Sequence, residues 1–338
     1  MKMIRNILKS TALIILGTCL AAACSKSSEE GANDAAKRYF DAWRVLHYPD
    51  AVQKDGIYII EDIPGTGAAW DMDTEIALAT YTIRSLDGSV SSNTEESWAK
   101  KLGNWNQTYY YGPQVIITSG NSSYAGVEMM LDGMREGGTR TAIIPAWLMT
   151  QTRYENLSDY LEVDSGNSAA IYTINLKGVT NDLPDYEYRQ MREYAIREWG
   201  VSDTLSTAAV FFKSHTDFDG EPAEMPKDTT VYINYIGRRM DGQVFDTSIA
   251  DTAKFYHIYD SSKEYAPVSI TYAEETKDIK MGSSAPVGGF QYGLAAMHPG
   301  EKASFLFGYA LGYGTTAKSK LIPAYSALRF DIEMVEKP

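Results

Sequence analysis

The chain has 338 residues, 44% of them hydrophobic, and 24 tyrosines, which is apolar area enough for more than one core and excludes wholesale disorder. A formal net charge of -13 leaves no basic footprint for nucleic acid and gives no electrostatic pull toward an anionic lipid surface. Four scattered histidines, His47, His215, His257 and His298, lack ligand spacing, and the two cysteines, Cys19 and Cys24, both stand near the N-terminus, so no metal, disulfide or cysteine nucleophile is expected beyond them.

Residues 1–23 read as a secretory signal. Lys2, Arg5 and Lys9 precede the apolar run Ala12 to Leu16, and Ala21-Ala22-Ala23 supply small residues at the cleavage region. The apolar run is too short to span a bilayer. Cys24 follows directly, then the polar stretch from Ser25 to Glu30, a pattern that resembles a bacterial lipobox with a flexible tether. The departure is Ala21, where lipoboxes usually carry Leu, and the alternative is an ordinary cleaved signal. The lipobox reading makes Cys24 the lipidated residue and places the protein in a bacterial cell envelope, anchored in the periplasm or on the outer-membrane surface.

Asn33 or Asp34 can cap a helix whose apolar positions Tyr39, Phe40, Trp43 and Leu46 follow helical spacing until Pro49, closing a tether-and-helix segment over 24–54. From Gly56 to about Val179 short β-rich runs, such as Ile57 to Ile60 and Ile76 to Tyr81, alternate with Gly, Pro and Asp clusters and predict strands and turns over 55–180. Tyr109-Tyr110-Tyr111 in this part reads as a strand or loop packed on a sheet rather than a carbohydrate platform. Asp182 as cap, Pro184 in the first turn, Tyr188, Met191, Ala195 and Trp199 on one face, and Gly200 at the end predict a connecting helix over 181–200. Strand composition resumes over 201–338.

The two β-rich parts match each other. Tyr81 and Tyr235 each lie on a strand leading into an Asp-Gly turn, Asp87-Gly88 and Asp241-Gly242, and Gly126 to Gly137 aligns with Gly289 to Gly300 without a gap. An α+β chain with two copies of one fold follows.

The C-terminal copy resembles the FKBP family of peptidyl-prolyl cis/trans isomerases in four segments. These are V-Y-I-N-Y-I-G from Val231, D-G-Q-V-F-D-T-S from Asp241, V-G-G-F-Q-Y-G-L-A-A-M-H-P-G-E-K from Val287, and I-P-A-Y-S-A-L-R-F-D-I-E from Ile322. The resemblance implies two FKBP-like domains, each a twisted antiparallel sheet wrapped around a short helix, here Phe290 to Met297. It implies catalysis by Tyr235, Phe245, Asp246, Phe290 and Tyr313, with Phe290 as pocket floor where most members have Trp. Val268, Val287, Leu321, Ile322 and Phe330 would line the substrate groove, Val268 standing where the family often has Phe. Neither a cofactor nor a metal is implied, and proline-containing polypeptides are the clients. In the other copy Ser91-Ser92 replace the Phe-Asp pair, Val127 the floor and Thr150 the tyrosine at 313, so that copy is degenerate: structural, or a binding or dimerisation module. Ser261 to Tyr265 and Glu274 to Asp278 are insertions, read as solvated loops.

Rotation about an X-Pro bond faces a barrier of roughly 18–20 kcal/mol. An apolar cup that favours the twisted amide lowers it without nucleophile or proton transfer. The leading expectation is an isomerase for exported proteins; the alternatives are a non-catalytic peptide-binding chaperone and a surface scaffold lipoprotein.

Overall fold

The computed structural model describes residues 32–163 and 166–338; Cys24 and the leader lie outside them. Each half contributes a seven-stranded antiparallel sheet. The first runs β1 (Val52–Lys54), β2 (Ile57–Ile63), β6 (Thr139–Ile144), β7 (Ala170–Thr180), β3 (Ile76–Ser85) and β4 (Val90–Asn93), with β5 (Gln114–Ile117) also on β3. The second runs β12 (Lys280–Met281), β11 (Val268–Thr271), β9 (Thr230–Arg239), β14 (Leu328–Val335), β13 (Lys302–Phe307) and β8 (Val210–Ser214), with β10 (Val244–Thr247) also on β9.

Six strands correspond one to one, since β2, β6, β7, β3, β4 and β5 are paired as β8, β13, β14, β9, β10 and β11 are. The hairpins repeat in detail. Ser85 N–H donates to Ser89 O at 2.8 Å and Arg239 N–H to Gln243 O at 3.0 Å, around Gly88 (φ 87°) and Gly242 (φ 88°), where only glycine enters the turn without strain. Tyr81 N–H donates to Thr94 Oγ1 at 2.9 Å, and Tyr235 N–H to Ser248 Oγ at 3.0 Å.

Strict alternation of buried and half-buried residues along Leu328–Val335 gives β14 one core face. That face packs on α7 (Gly288–Ala295), and in the first half β7 packs on α3 (Ala125–Leu131). Gly289 and Gly293 let α7 seat on the rings of Phe307 and Phe305, because a Cβ at either would lie within 2.6 Å of ring carbons.

Two helices lie outside the sheets' inner cores. α1 (Ala32–His47) packs through Phe40 on Ile143 and Ile171, on the opposite face of the first sheet from α3. α5 (Leu183–Trp199) is capped as its sequence predicts. Asp182 accepts from Asp185 N–H at 3.0 Å, and Gly200 (φ 68°) closes it with Gly200 N–H to Ile196 O at 3.0 Å. Its stripe of Met191, Tyr194, Ala195 and Trp199 buries against Phe211 and Leu306 of the second sheet, each large side chain contributing roughly 1.5–3 kcal/mol. The connecting helix therefore belongs mechanically to the C-terminal sheet. No described helix is long and apolar enough to cross a membrane.

Candidate active site

The residues singled out in the C-terminal half converge on one cluster. Tyr235, Phe290, Leu321, Ile322 and Phe330 are buried in it, and Phe245, Val268, Val287 and Tyr313 pack against it partly exposed. Phe290 and Phe330 meet edge to face, centroids 4.8 Å apart at 84°. Phe245 meets Phe330 at 5.6 Å and 82°, and Tyr235 meets Phe290 at 6.4 Å and 85°. Such pairs add about 0.5–1.5 kcal/mol each beyond burial and fix the rings' orientation.

A β-bulge between Val244 and Asp246 shifts the register there, so the consecutive residues Phe245 and Asp246 both reach the cluster instead of alternating across the sheet. Asp246 Oδ2 accepts from the Tyr235 hydroxyl at 2.8 Å, and Asp246 Oδ1 accepts from Thr247 N–H at 2.9 Å. Burial, with the Asp246 carboxylate second, pushes the Tyr235 phenol far above its ordinary value. Burial first and Asp246 second also raise Tyr313. Both hydroxyls therefore stay protonated through the neutral range and remain available as donors.

The floor is more enclosed than the sequence implies. Phe290 keeps 2% of its surface exposed, sealed by Phe305 and Phe330, so the open area of the cup comes from its rim.

The stretch read from sequence as a solvated loop closes part of that rim. Lys263 pairs its ammonium with Asp246 Oδ1, donates to Thr247 O at 2.9 Å and stands 5.7 Å from the Tyr235 ring centroid. Tyr259 and Tyr265 stack beside it at 5.1 Å and 13°, and Ile258 packs against the cluster. The second insertion is also held, since Gln291 of α7 donates to Lys277 O at 2.7 Å and Ile279 O at 3.0 Å. No spacing rule could announce Lys263; the one signal is a basic residue flanked by aromatics in an insertion next to the site strand.

The N-terminal copy shows what the lost residues leave behind. At the place of Gly237, where a Cβ would come within 2.6 Å of the Phe245 ring, stands Ile83, and Ser91, in the bulge next to Ser92, the strand partner of Ile83, replaces Phe245. The two exchanges compensate in volume. With Val127 for Phe290 and Ala142 for Phe305, a cavity of about 380 Å³ opens, walled by Tyr81, Ile83, Tyr124, Val127 and Tyr172. Ser91 and Ser92 supply no acid, and Thr150 no phenol, as the sequence implies.

One constellation has the composition of a hydrolase site without its geometry. Ser304 bonds His215 Nε2 at 2.8 Å and donates to Asp331 at 2.6 Å. A nucleophile's base needs the acid behind the histidine; here the serine lies between them, held down by the acid. Among the described residues no group of acidic, histidine or cysteine side chains could hold a metal ion.

Residues 221–335 match the family model of the FKBP-type peptidyl-prolyl cis-trans isomerases. The Arabidopsis thaliana peptidyl-prolyl cis-trans isomerase FKBP15-2 is 29% identical over 33% of this chain and 57% of its own length. The Trypanosoma cruzi macrophage infectivity potentiator is 27% identical over 32% and 43%. A mouse protein described as inactive FKBP6 is 38% identical over 17% of this chain and 18% of its own. The chain thus spans about half or less of these relatives. Among solved structures, FkpA from Escherichia coli has 27% identity, covering 45% of this chain and 58% of that one, with a TM-score of 0.31. The three FKBP domains of wheat FKBP73 have 15%, 84%, 95% and 0.29 respectively. The C-terminal half of the chain carries a domain of the FKBP-type peptidyl-prolyl cis-trans isomerase family, and the architecture as a whole is two FKBP-like domains.

Proposed function

We propose that the C-terminal domain isomerises X-Pro bonds in exported polypeptides, and that residues 55–180 form a degenerate companion domain joined to it by the helix over 181–200. The observation that carries this reading is the bulged Phe245-Asp246 pair bonded to Tyr235 beside the Phe290–Phe330 cluster. A prolyl ring entering between Tyr313, Val268 and Val287 meets apolar faces that strip water from the imide. Loss of water favours the twisted, less dipolar amide over the planar one. The Tyr313 hydroxyl supplies a donor for the rotated carbonyl. Asp246 holds Tyr235 in place and moves no proton. A millionfold gain would need on the order of 8 kcal/mol of such preference for the twisted state.

The test is relaxation of a short prolyl peptide from cis to trans in the presence of the full chain. The reading expects acceleration, most of it lost in Tyr313→Phe combined with Asp246→Asn. Equal rates with and without protein would end it.

The cavity in the N-terminal copy favours a second role, holding a client without isomerising it. Its tyrosine and aliphatic walls suit an apolar side chain in an extended segment. A proline-rich peptide that still binds when the C-terminal site is disabled, with chemical-shift changes at Tyr81 and Tyr172, is the expected result; shifts confined to the C-terminal domain would refute it. Lipid attachment at Cys24 in a bacterial envelope belongs to the same reading, and Cys24→Ser should release the protein from the membrane fraction.

A further inference from the structure

The loop between α2 (Glu96–Lys101) and β5 leaves its own domain. Its C-terminal counterpart, between α6 (Ala250–Phe255) and β11, folds back through Lys263 onto its own pocket. The N-terminal loop instead reaches the neighbouring domain at the chain segment that forms one wall of that pocket. Tyr110 N–H donates to Lys320 O at 2.8 Å. The Tyr110 ring lies 4.4 Å from the Arg239 guanidinium, and Arg239, 7% exposed, donates in turn to Leu321 O and pairs with Asp241. Gln243 donates to Gln107 O at 3.2 Å, and the Lys320 ammonium stands over Tyr109 at 5.6 Å.

Inside the same segment Leu321 and Ile322 face the aromatic cluster, 9% and 5% exposed. The segment is a tight turn, with Lys318 N–H to Ile322 O at 3.0 Å and Ile322 N–H to Ser319 O at 3.2 Å. Lys318, Ser319 and Lys320 are exposed, and the turn's own domain reaches it there through Arg239, which donates to Leu321 O, and through Tyr313, whose ring lies 5.4 Å from the Lys318 ammonium. From the other domain Tyr110 adds its amide bond to Lys320 O and covers Arg239 with its ring.

We propose that Tyr110 is a positioning residue for the isomerase pocket of the other domain, holding the Lys320–Ile322 wall through its amide and its ring. This rests on the reading of that pocket as the isomerase site. The loop is built for the purpose. Tyr110 OH donates to Pro113 O at 3.1 Å, Tyr111 OH accepts from Asn106 N–H at 3.0 Å, and at Gly112 a Cβ would collide with the Tyr110 phenol at 2.4 Å. Burial raises the Tyr110 phenol to about 12 against the Arg239 charge, which lowers it, so the contact does not change with pH in the physiological range. The degenerate domain then has a reason to be in the chain apart from any ligand of its own.

The experiment compares the full chain with Tyr110→Ala, Tyr110→Phe and Gly112→Ala, reading hydrogen exchange of peptides covering 316–326 together with kcat and KM on a prolyl peptide. Loss of one cation–π contact and a loosened hydrogen bond predicts, for Tyr110→Ala, exchange at Leu321 and Ile322 about fivefold faster and KM about fivefold higher at nearly unchanged kcat. Tyr110→Phe keeps amide and ring, loses only the hydroxyl bond to Pro113 O, and should stay close to wild type, whereas Gly112→Ala, which displaces the ring, should follow Tyr110→Ala. Unchanged exchange in Tyr110→Ala overturns the proposal. So does faster exchange with unaltered KM, or a Tyr110→Phe variant as impaired as the alanine. A wild-type chain without isomerase activity would end the functional reading, and the exchange measurement would still decide whether Tyr110 holds this wall.

Discussion

Phe290 shows why activity loss alone cannot identify a site residue. Its ring is sealed among Phe305, Phe330 and Tyr235, so Phe290→Ala should destabilise the domain by about 3–5 kcal/mol whatever the ring does in catalysis. Phe290→Trp, which the family pattern favours, meets a closed floor and should destabilise by ~1–3 kcal/mol through overpacking. Thermal unfolding checks both. The informative positions are the half-exposed ones. Lys263 and Asp246 are 34% and 45% exposed at their side chains, so their ion pair contributes at most ~1 kcal/mol, and Lys263→Met should leave stability nearly intact. It should lower kcat/KM about two- to fivefold by freeing Asp246 and Tyr235, with Lys263→Arg restoring most of it. An unchanged kcat/KM in Lys263→Met would show the arm to be decoration. The aromatic positions of this site were legible in the sequence because a family motif fixes them to strands and one helix. Lys263 was not, because its contact depends on how an insertion folds in three dimensions.

At the scale of elements, the connecting helix was readable from caps and periodicity, but not what it does. Glu187 on α5 accepts from Tyr309 N–H at 2.9 Å, at the start of the turn Tyr309–Leu311 that precedes Tyr313. Burial pushes its carboxyl up to about 7, against the Tyr309 hydrogen bond, which lowers it. The folded state then holds this proton more tightly than the unfolded chain, so stability is lost as pH rises from the ordinary glutamate range to about 7. Glu187→Gln keeps an acceptor and removes the charge. It should be more stable than wild type by ~1–2 kcal/mol at pH 8, less than the full linkage because the carboxyl keeps some solvent, and equal near pH 4. Denaturant unfolding at the two pH values checks this. Since neither Tyr235 nor Tyr313 titrates near neutrality, the isomerisation rate should be flat between about pH 6 and 8 apart from this helix. A neutral inflection that vanishes in Glu187→Gln belongs to α5; one that persists points to acid–base chemistry in the pocket.

For the whole molecule, the repeat was visible in the Asp-Gly turns and the matched glycines from Gly126 and Gly289, because turns and close approach of a helix to strand side chains, Ile144 in one copy and Phe307 in the other, admit few residue types. The meeting of the two copies was hidden. Nothing in Tyr109-Tyr110-Tyr111 says that the loop reaches Arg239 and Lys320 instead of packing on its own sheet. A fragment beginning near residue 201 lacks both Tyr110 and Glu187, and should bind prolyl peptides more weakly than the full chain.

The central claim is that chemistry resides in the copy that kept Phe245 opposite Gly237, and the other copy supplies its own control. Replacing Gly237→Ile together with Phe245→Ser gives the C-terminal pocket the residues that stand at the matching positions of the other copy, Ile83 and Ser91. Measured on a prolyl peptide, the full wild-type chain should accelerate isomerisation and the exchanged chain should fall to the uncatalysed rate while its circular dichroism spectrum is unchanged. Wild-type activity in a folded exchanged chain would contradict the account and place the catalytic site elsewhere in the molecule.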